Sequence, residues 1–288
     1  MTNEIAEIHP LVVRGYGLVE APFGTTVDRF GTFTRASASE MRVVARTTDV
    51  DAALHHLSRL TVPATRLVIV DQGSWTAILT NHRSGSDFND HQFWAARSLG
   101  VRTIRVVDSA ARWWKRGAVR ERLAYEARIF ELHGPDASNV RSIVCADDGG
   151  RWVFETSGDA LPIEASFGYD APRIKDRFTR ENLRDLLESL GPGALTADRL
   201  VAAPRFALLE DHITDPTYRS RVEAAACSRD EADDPAFGYF QRGMGYVDHM
   251  ATHAPSIISD FERAVAIDPA YEPRVRDYLS AARRMTAG

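Results

Sequence analysis

The sequence predicts an α+β protein: an antiparallel β-sheet with helices on one face, followed by a mainly helical C-terminal region. Short apolar runs in the first part are joined by tight turns without regular strand–helix–strand alternation, which favours antiparallel hairpins. Beyond residue 174, leucines recur at helical spacing instead. We therefore expect a sheet-rich α+β domain over residues 1–174 and a helical domain or subdomain over residues 175–288.

The strands of the first part are predicted from apolar runs that end at turn residues. Valines between glycines over residues 11–34 predict a twisted hairpin. Residues 71–74 and 147–150 each predict a hairpin turn, because their glycines adopt the positive φ that tight turns need. Residues 88–99 change to a helical period, and we expect this helix to end at Gly100.

The second part carries the start and stop signals of several helices. Thr179 is a predicted N-cap for a leucine-rich helix that ends at Gly191. Prolines divide the C-terminal stretch into three further predicted helices, over residues 236–252, 255–267 and 273–285.

Residues 238–271 contain Gly245, Phe261, Ala264 and Pro269, a small, an aromatic, a small and a proline position in that order. With this spacing the segment resembles one tetratricopeptide repeat. The resemblance implies peptide binding on a concave helical surface. A helical hairpin with a proline stop accounts for the same four residues equally well.

Composition excludes several classes of protein. The chain has 288 residues, of which 44% are hydrophobic and 26% charged, so it can bury a core and is neither fibrous nor largely disordered. It has no run approaching the roughly 20 apolar residues of a membrane span. The acidic N-terminus does not resemble a secretory signal, so we expect a cytoplasmic protein. Among its 35 basic residues only Lys115 and Lys175 are lysines, a bias that indicates a GC-rich bacterial genome.

The charge distribution argues against nucleic acid as a partner, because the chain carries a formal net charge of −5. The densest basic stretch, residues 112–122, is open to two interpretations: a solvated charged face, or part of a binding surface. Trp113 and Trp114 are adjacent and cannot both face inward on one regular element. We therefore predict a partner-binding patch at Trp113, Trp114 and Arg116.

Residues 81–91 hold the densest set of candidate ligands. His82, Asp87, Asp90 and His91 are the candidate catalytic residues of an acid–base site, and His82, Asp87 and His91 the candidate ligands of a divalent metal. Helix capping is the alternative for the carboxylates, since Asp87 and Asp90 stand at the N-cap and N3 positions of the predicted helix.

Two functions follow from these observations. The sequence contains no complete catalytic motif, and the apolar run around Cys145 predicts a buried strand with an unreactive thiol. We therefore expect a non-enzymatic protein-binding module, similar in role to an immunity or adaptor protein. The alternative is a metal-dependent hydrolase that binds a small-molecule substrate at residues 81–91.

Overall fold

The structure of this chain is a computed structural model. It describes residues 15–35, 39–58, 66–80, 88–116, 119–213 and 250–286, together with Ala236, Tyr239, Phe240, Gly243, Met244 and Val247. For residues 112–116 and 119–124 the description covers the backbone.

A ten-stranded antiparallel sheet organises most of the chain. The described strands are β1 Gly15–Val19, β2 Thr34–Arg35, β3 Ser39–Thr47, β4 Arg66–Gln72, β5 Trp75–Thr80, β6 Thr103–Ser109, β7 Arg112–Arg116, β8 Val119–Ala124, β9 Ala127–His133, β10 Asn139–Asp147, β11 Trp152–Gly158 and β12 Phe206–Ile213. The ten strands of the main sheet follow the order β11-β10-β9-β6-β1-β5-β4-β12-β3-β2, and β7 and β8 form a separate two-stranded sheet.

Seven helices are described around and after this sheet. They are α1 Phe23–Phe30, α2 Val50–Ser58, α3 Asn89–Leu99, α4 Arg180–Leu190, α5 Ala197–Val201, α6 Met250–Ile267 and α7 Glu272–Thr286. The α+β class, the antiparallel sheet and the helical C-terminal region are therefore confirmed.

The described helices cover both faces of the sheet, whereas the sequence predicted them on one. Alternate residues of the central strands enter two different cores: Val68 packs with α2 and α4, and Ile69 packs with α1 and α3. Every residue of β5 is buried, which a strand with one face in water would not show. β5 therefore has apolar residues on both faces, with Leu79 in one core and Ile78 in the other.

The predicted hairpin over residues 11–34 is wrong, because α1 follows β1 there. Phe23, Val27 and Phe30 recur at helical spacing and are all buried. The glycines suggested turns, but Gly24 lies inside the helix. Packing of the apolar stripe on the sheet outweighs the low helix propensity of one glycine.

Strand β12 lies between β4 and β3 although it follows residue 174 in the chain. Helices were predicted for this part of the chain. A short apolar run such as that of β12 does not distinguish a buried strand from a buried helix by periodicity. The sheet thus includes one strand from the part of the chain after residue 174. The predicted domain boundary at 174/175 stays a prediction.

A third core forms in the C-terminal region, where α6 packs against α7 around Phe261. The predicted break near Pro255 is a kink, since His253 has non-helical dihedral angles within α6. A Cβ atom on Gly243 would lie 2.4 Å from the Phe261 ring, so Gly243 is a small residue packed there. Gly245, the small position of the tetratricopeptide resemblance, lies outside the described residues.

None of the described helices combines the length and the apolar character that crossing a membrane would require.

Candidate functional site

Helix α3 supplies one wall of the candidate site. It ends where predicted, at Gly100, whose φ of 65° lets its N–H bond to the carbonyl of Ala96. On the inward side, Phe88, which precedes the helix, and Ala95 are fully buried against the sheet. Phe93 lies on the other side of the helix and remains 54% exposed.

The turn between β9 and β10 supplies the opposite wall. The N–H of Gly134 donates to the carbonyl of Ser138, which closes the turn. Asp136 accepts hydrogen bonds from the hydroxyl and the N–H of Ser138 at 2.6 and 3.0 Å. These bonds lower the pKa of Asp136 below its ordinary value, so the side chain is a carboxylate at neutral pH.

Ala137 completes this turn in a conformation that L-residues rarely adopt. Its φ is +66°, and the other positive φ values among the described residues belong to glycines. A left-handed alanine costs roughly 1–2 kcal/mol. Such strain is found preferentially at functional sites, and Ala137 lies in the wall of the candidate site.

Between the two walls lies a cavity of about 440 Å³, which we call the α3 groove. Its lining combines two aromatic rings, one cation and one anion, and consists of Phe93, Trp94, Arg97, Asp136 and Ala137. The inner edge of Trp94 is held by edge-to-face contacts with Phe30 and Phe33 at 4.8 and 4.5 Å. The groove therefore has a fixed aromatic wall and charged residues on both sides.

His133 lies directly under Phe93. The two rings meet edge to face at 4.6 Å, and His133 is 4% exposed. Burial lowers the pKa of its imidazole, which the nearby Glu131 carboxylate partly opposes. Within the described part of the chain, His133 Nδ1 has no hydrogen-bond partner. A neutral imidazole is the form that this apolar contact favours.

The predicted metal site at residues 81–91 is described only at its end. His82 and Asp87 lie outside the described residues. For Asp90 the structure describes only the backbone, which lies in α3. His91 is buried beside the rings of Phe30, Phe33 and Phe88, with ring centroids 6.3–6.4 Å away. Among the described residues no three His, Cys, Asp or Glu side chains are grouped as metal ligands would be. The metal site stays a prediction.

The predicted patch at Trp113, Trp114 and Arg116 falls on β7. Successive strand residues alternate between faces, so Trp114 and Arg116 share one face by register and Trp113 lies on the other. The strand thus does not bring the three positions together on one face.

A second cluster of polar residues surrounds a buried ion pair, Arg141–Glu164. Arg141 on β10 donates from Nε to Glu164 Oε1 at 2.9 Å, and from a terminal nitrogen to the carbonyl of Gly158 at the same distance. Glu164 also accepts from the Tyr169 hydroxyl and the Leu161 N–H. Burial and the Glu164 bond raise the pKa of Tyr169. Because its partners are internal, this cluster joins β10 and β11 to the segment after them.

Cys145 lies fully buried on β10, as predicted, and burial raises the pKa of its thiol. Its Sγ donates to the carbonyl of Ile174 at 3.4 Å. A protonated, buried thiol of this kind is a structural group.

The residues of the α3 groove were not predicted from the sequence, although one signal was present. Phe88, Ala95 and Ala96 follow helical spacing and form the buried side of this segment, and Phe93 does not fit that spacing. A large aromatic residue on the polar side of an amphipathic helix is a candidate contact residue. Asp136 and Ala137 carry no such signal, because only the fold places their turn opposite α3.

Comparison with known proteins gives no relative: no family model, curated protein or solved structure matches the chain.

Proposed function

We propose that this chain is a protein-binding module of the bacterial cytoplasm, similar to an adaptor, and that it holds a side chain of its partner in the α3 groove. One observation carries the proposal: Phe93 is 54% exposed at a groove that also contains Trp94 and Arg97. Single exposed apolar side chains are normal on protein surfaces. A large aromatic residue grouped with a tryptophan and an arginine in a concavity is typical of interface hot spots.

The energetics of the groove support binding by another protein. Apolar area that leaves water contributes roughly 25 cal/mol per Å², and the exposed half of Phe93 gains this only when a partner covers it. Trp94 is held in place by Phe30 and Phe33, so little side-chain entropy is lost when it is contacted. Arg97 and Asp136 flank the aromatic residues and provide a polar rim.

Photo-crosslinking tests this proposal. p-Benzoylphenylalanine is placed at position 93 and, as the control, at Val201, which is 59% exposed on α5. Both proteins are expressed in the organism from which the chain comes and irradiated. We expect one defined protein to crosslink from position 93 and not from position 201. Equal crosslinking from both positions, or none from position 93, would overturn the proposal.

A further inference from the structure

Strands β7 and β8 form an arm that continues one hairpin beyond the main sheet. The pairing of β6 with β9 ends at Ser109, which is opposite Ala127. The pairing of β7 with β8 begins three residues later, where Arg112 is opposite Ala124. Among the described residues, no third strand pairs with β7 or β8. A two-stranded hairpin is marginally stable in water unless something packs against it. We call residues 112–124 the β7–β8 arm.

The register of the arm places three of its five cations on one face. Trp113 is opposite Arg122, and Lys115 is opposite Arg120, so these four positions share a face. Glu121, the acid of the arm, is paired with Trp114 and belongs to the other face. Like charges directly opposite each other, as at Lys115 and Arg120, destabilise a strand pair. An anionic partner would remove this repulsion.

The arm also differs in charge from the rest of the chain. Its 13 positions, 112–124, contain five cations and one acid, whereas the whole chain has a formal net charge of −5. We propose that the face formed by Trp113, Lys115, Arg120 and Arg122 binds an acidic surface of the partner protein. The inference rests on the proposed function and adds a second contact to the α3 groove, with the chemistry of the partner specified.

A protein fits this face better than a nucleic acid does. A nucleic acid is an extended polyanion, and beyond the short arm it would meet a body with excess negative charge, which repels it. A compact acidic patch can be covered by the arm alone. Tryptophan and arginine together are also the residue types most enriched at protein interface hot spots.

The experiment uses the full chain and two labelled probes. One is a peptide of about twelve residues rich in glutamate, with a glutamine version as its control, and the other is a DNA duplex of about the same length. The arm variant is Lys115→Ser with Arg120→Ser and Arg122→Ser. The control variant removes the same charge from exposed positions of α6 and α7: Arg263→Ser with Arg276→Ser and Arg284→Ser.

We expect the wild type to bind the acidic peptide, the arm variant to lose about tenfold or more in affinity, and the control variant to change little. Equal losses in both variants, or no binding by the wild type, would overturn the inference. Tighter binding of the duplex than of the peptide would assign the arm to nucleic acid. The affinity of the wild type for the glutamate peptide should fall as the salt concentration rises, and the wild type should not bind the glutamine peptide. Both measurements test the inference without any variant.

The two proposals fail separately. If position 93 still crosslinks its partner while the arm variant binds peptide as the wild type does, only the role of the arm is wrong. If crosslinking fails and arm-dependent binding persists, the α3 groove is wrong.

Discussion

The Arg141–Glu164 cluster and the α3 groove contain similar residue types in opposite circumstances. In the cluster, the two charged side chains are 5% and 2% exposed, and their hydrogen bonds go to each other, to Tyr169 and to backbone groups. In the groove, Arg97 is exposed, Asp136 bonds within its own turn, and Phe93 presents half of its surface to water.

This difference in burial indicates that the cluster stabilises the fold and that the groove is available for recognition. A buried polar group must have partners within the fold, so removing one leaves the other uncompensated. An exposed aromatic residue makes few of the contacts that hold the fold together, and its surface is available to another molecule. We therefore expect substitutions in the cluster to act on stability and substitutions in the groove to act on binding.

The largest effect on stability is expected for Glu164→Gln. The substitution removes the negative charge that compensates the buried Arg141 guanidinium, and breaking a buried pair in this way costs about 3–5 kcal/mol. Chemical denaturation measures the free energy of unfolding. The matched control is Glu155→Gln on the exposed part of β11, which we expect to change stability by less than about 0.5 kcal/mol.

A double substitution sharpens the same prediction. Arg141→Met combined with Glu164→Leu removes both charges, and we expect it to be more stable than Glu164→Gln alone, because no charge is then left buried and unpaired. Similar destabilisation by Glu164→Gln and Glu155→Gln would show that the cluster does not carry the stability assigned to it.

The next effect concerns the inward side of α3. A Cβ atom on Gly17 of β1 would lie 2.1 Å from Cγ of Phe88, so Gly17→Ala forces Phe88 to move. We expect a loss of about 1–3 kcal/mol in thermal or chemical unfolding. Gly24→Ala is the control: its Cβ meets nothing within 4 Å, and in helix α1 it should stabilise by up to about 1 kcal/mol. Equal and small effects at both positions would contradict this packing.

His133 predicts a pH dependence. Burial lowers its pKa in the folded protein below the value of about 6.5 in the unfolded chain. The unfolded state therefore binds more protons as the pH falls below that value, and the folded state loses stability. His133→Gln should lose less stability than the wild type between about pH 8 and about pH 5. His212→Gln, at an exposed position on β12, is the control, and a wild-type pH profile from His133→Gln would contradict the assignment.

The smallest effect on stability is expected for Phe93→Ala. The side chain is half exposed and makes one edge-to-face contact with the His133 ring, so we expect a loss of about 1 kcal/mol or less. Differential scanning calorimetry checks this. A loss as large as that of Glu164→Gln would mean that Phe93 is a core residue and that the contrast between the two regions is wrong.

Local signals in the sequence predicted local structure well. Thr179 caps α4 through the N–H of Asn182, and Gly191 ends that helix. Gly149 takes the positive φ that the β10–β11 turn requires. These features depend on residues close in the chain, and their chemistry is the same in any fold.

Features that depend on distant residues were not predictable. Strand β12 joins the sheet between β4 and β3, and residues 206–213 alone do not indicate which strands they pair with. The α3 groove likewise arises because β9 and β10 bring Asp136 opposite Arg97. Residues 81–91 were predicted as a site from their titratable groups, whereas the surface that the fold leaves open carries an exposed aromatic residue, Phe93.

Calorimetric titration tests directly whether the α3 groove binds another protein. The protein that crosslinks from position 93 is purified, and calorimetric titration gives its Kd for the wild type, for Phe93→Ala and for the control Val201→Ala. We predict that Phe93→Ala weakens binding about tenfold or more while Val201→Ala leaves it unchanged. The same Kd for all three proteins would contradict the account.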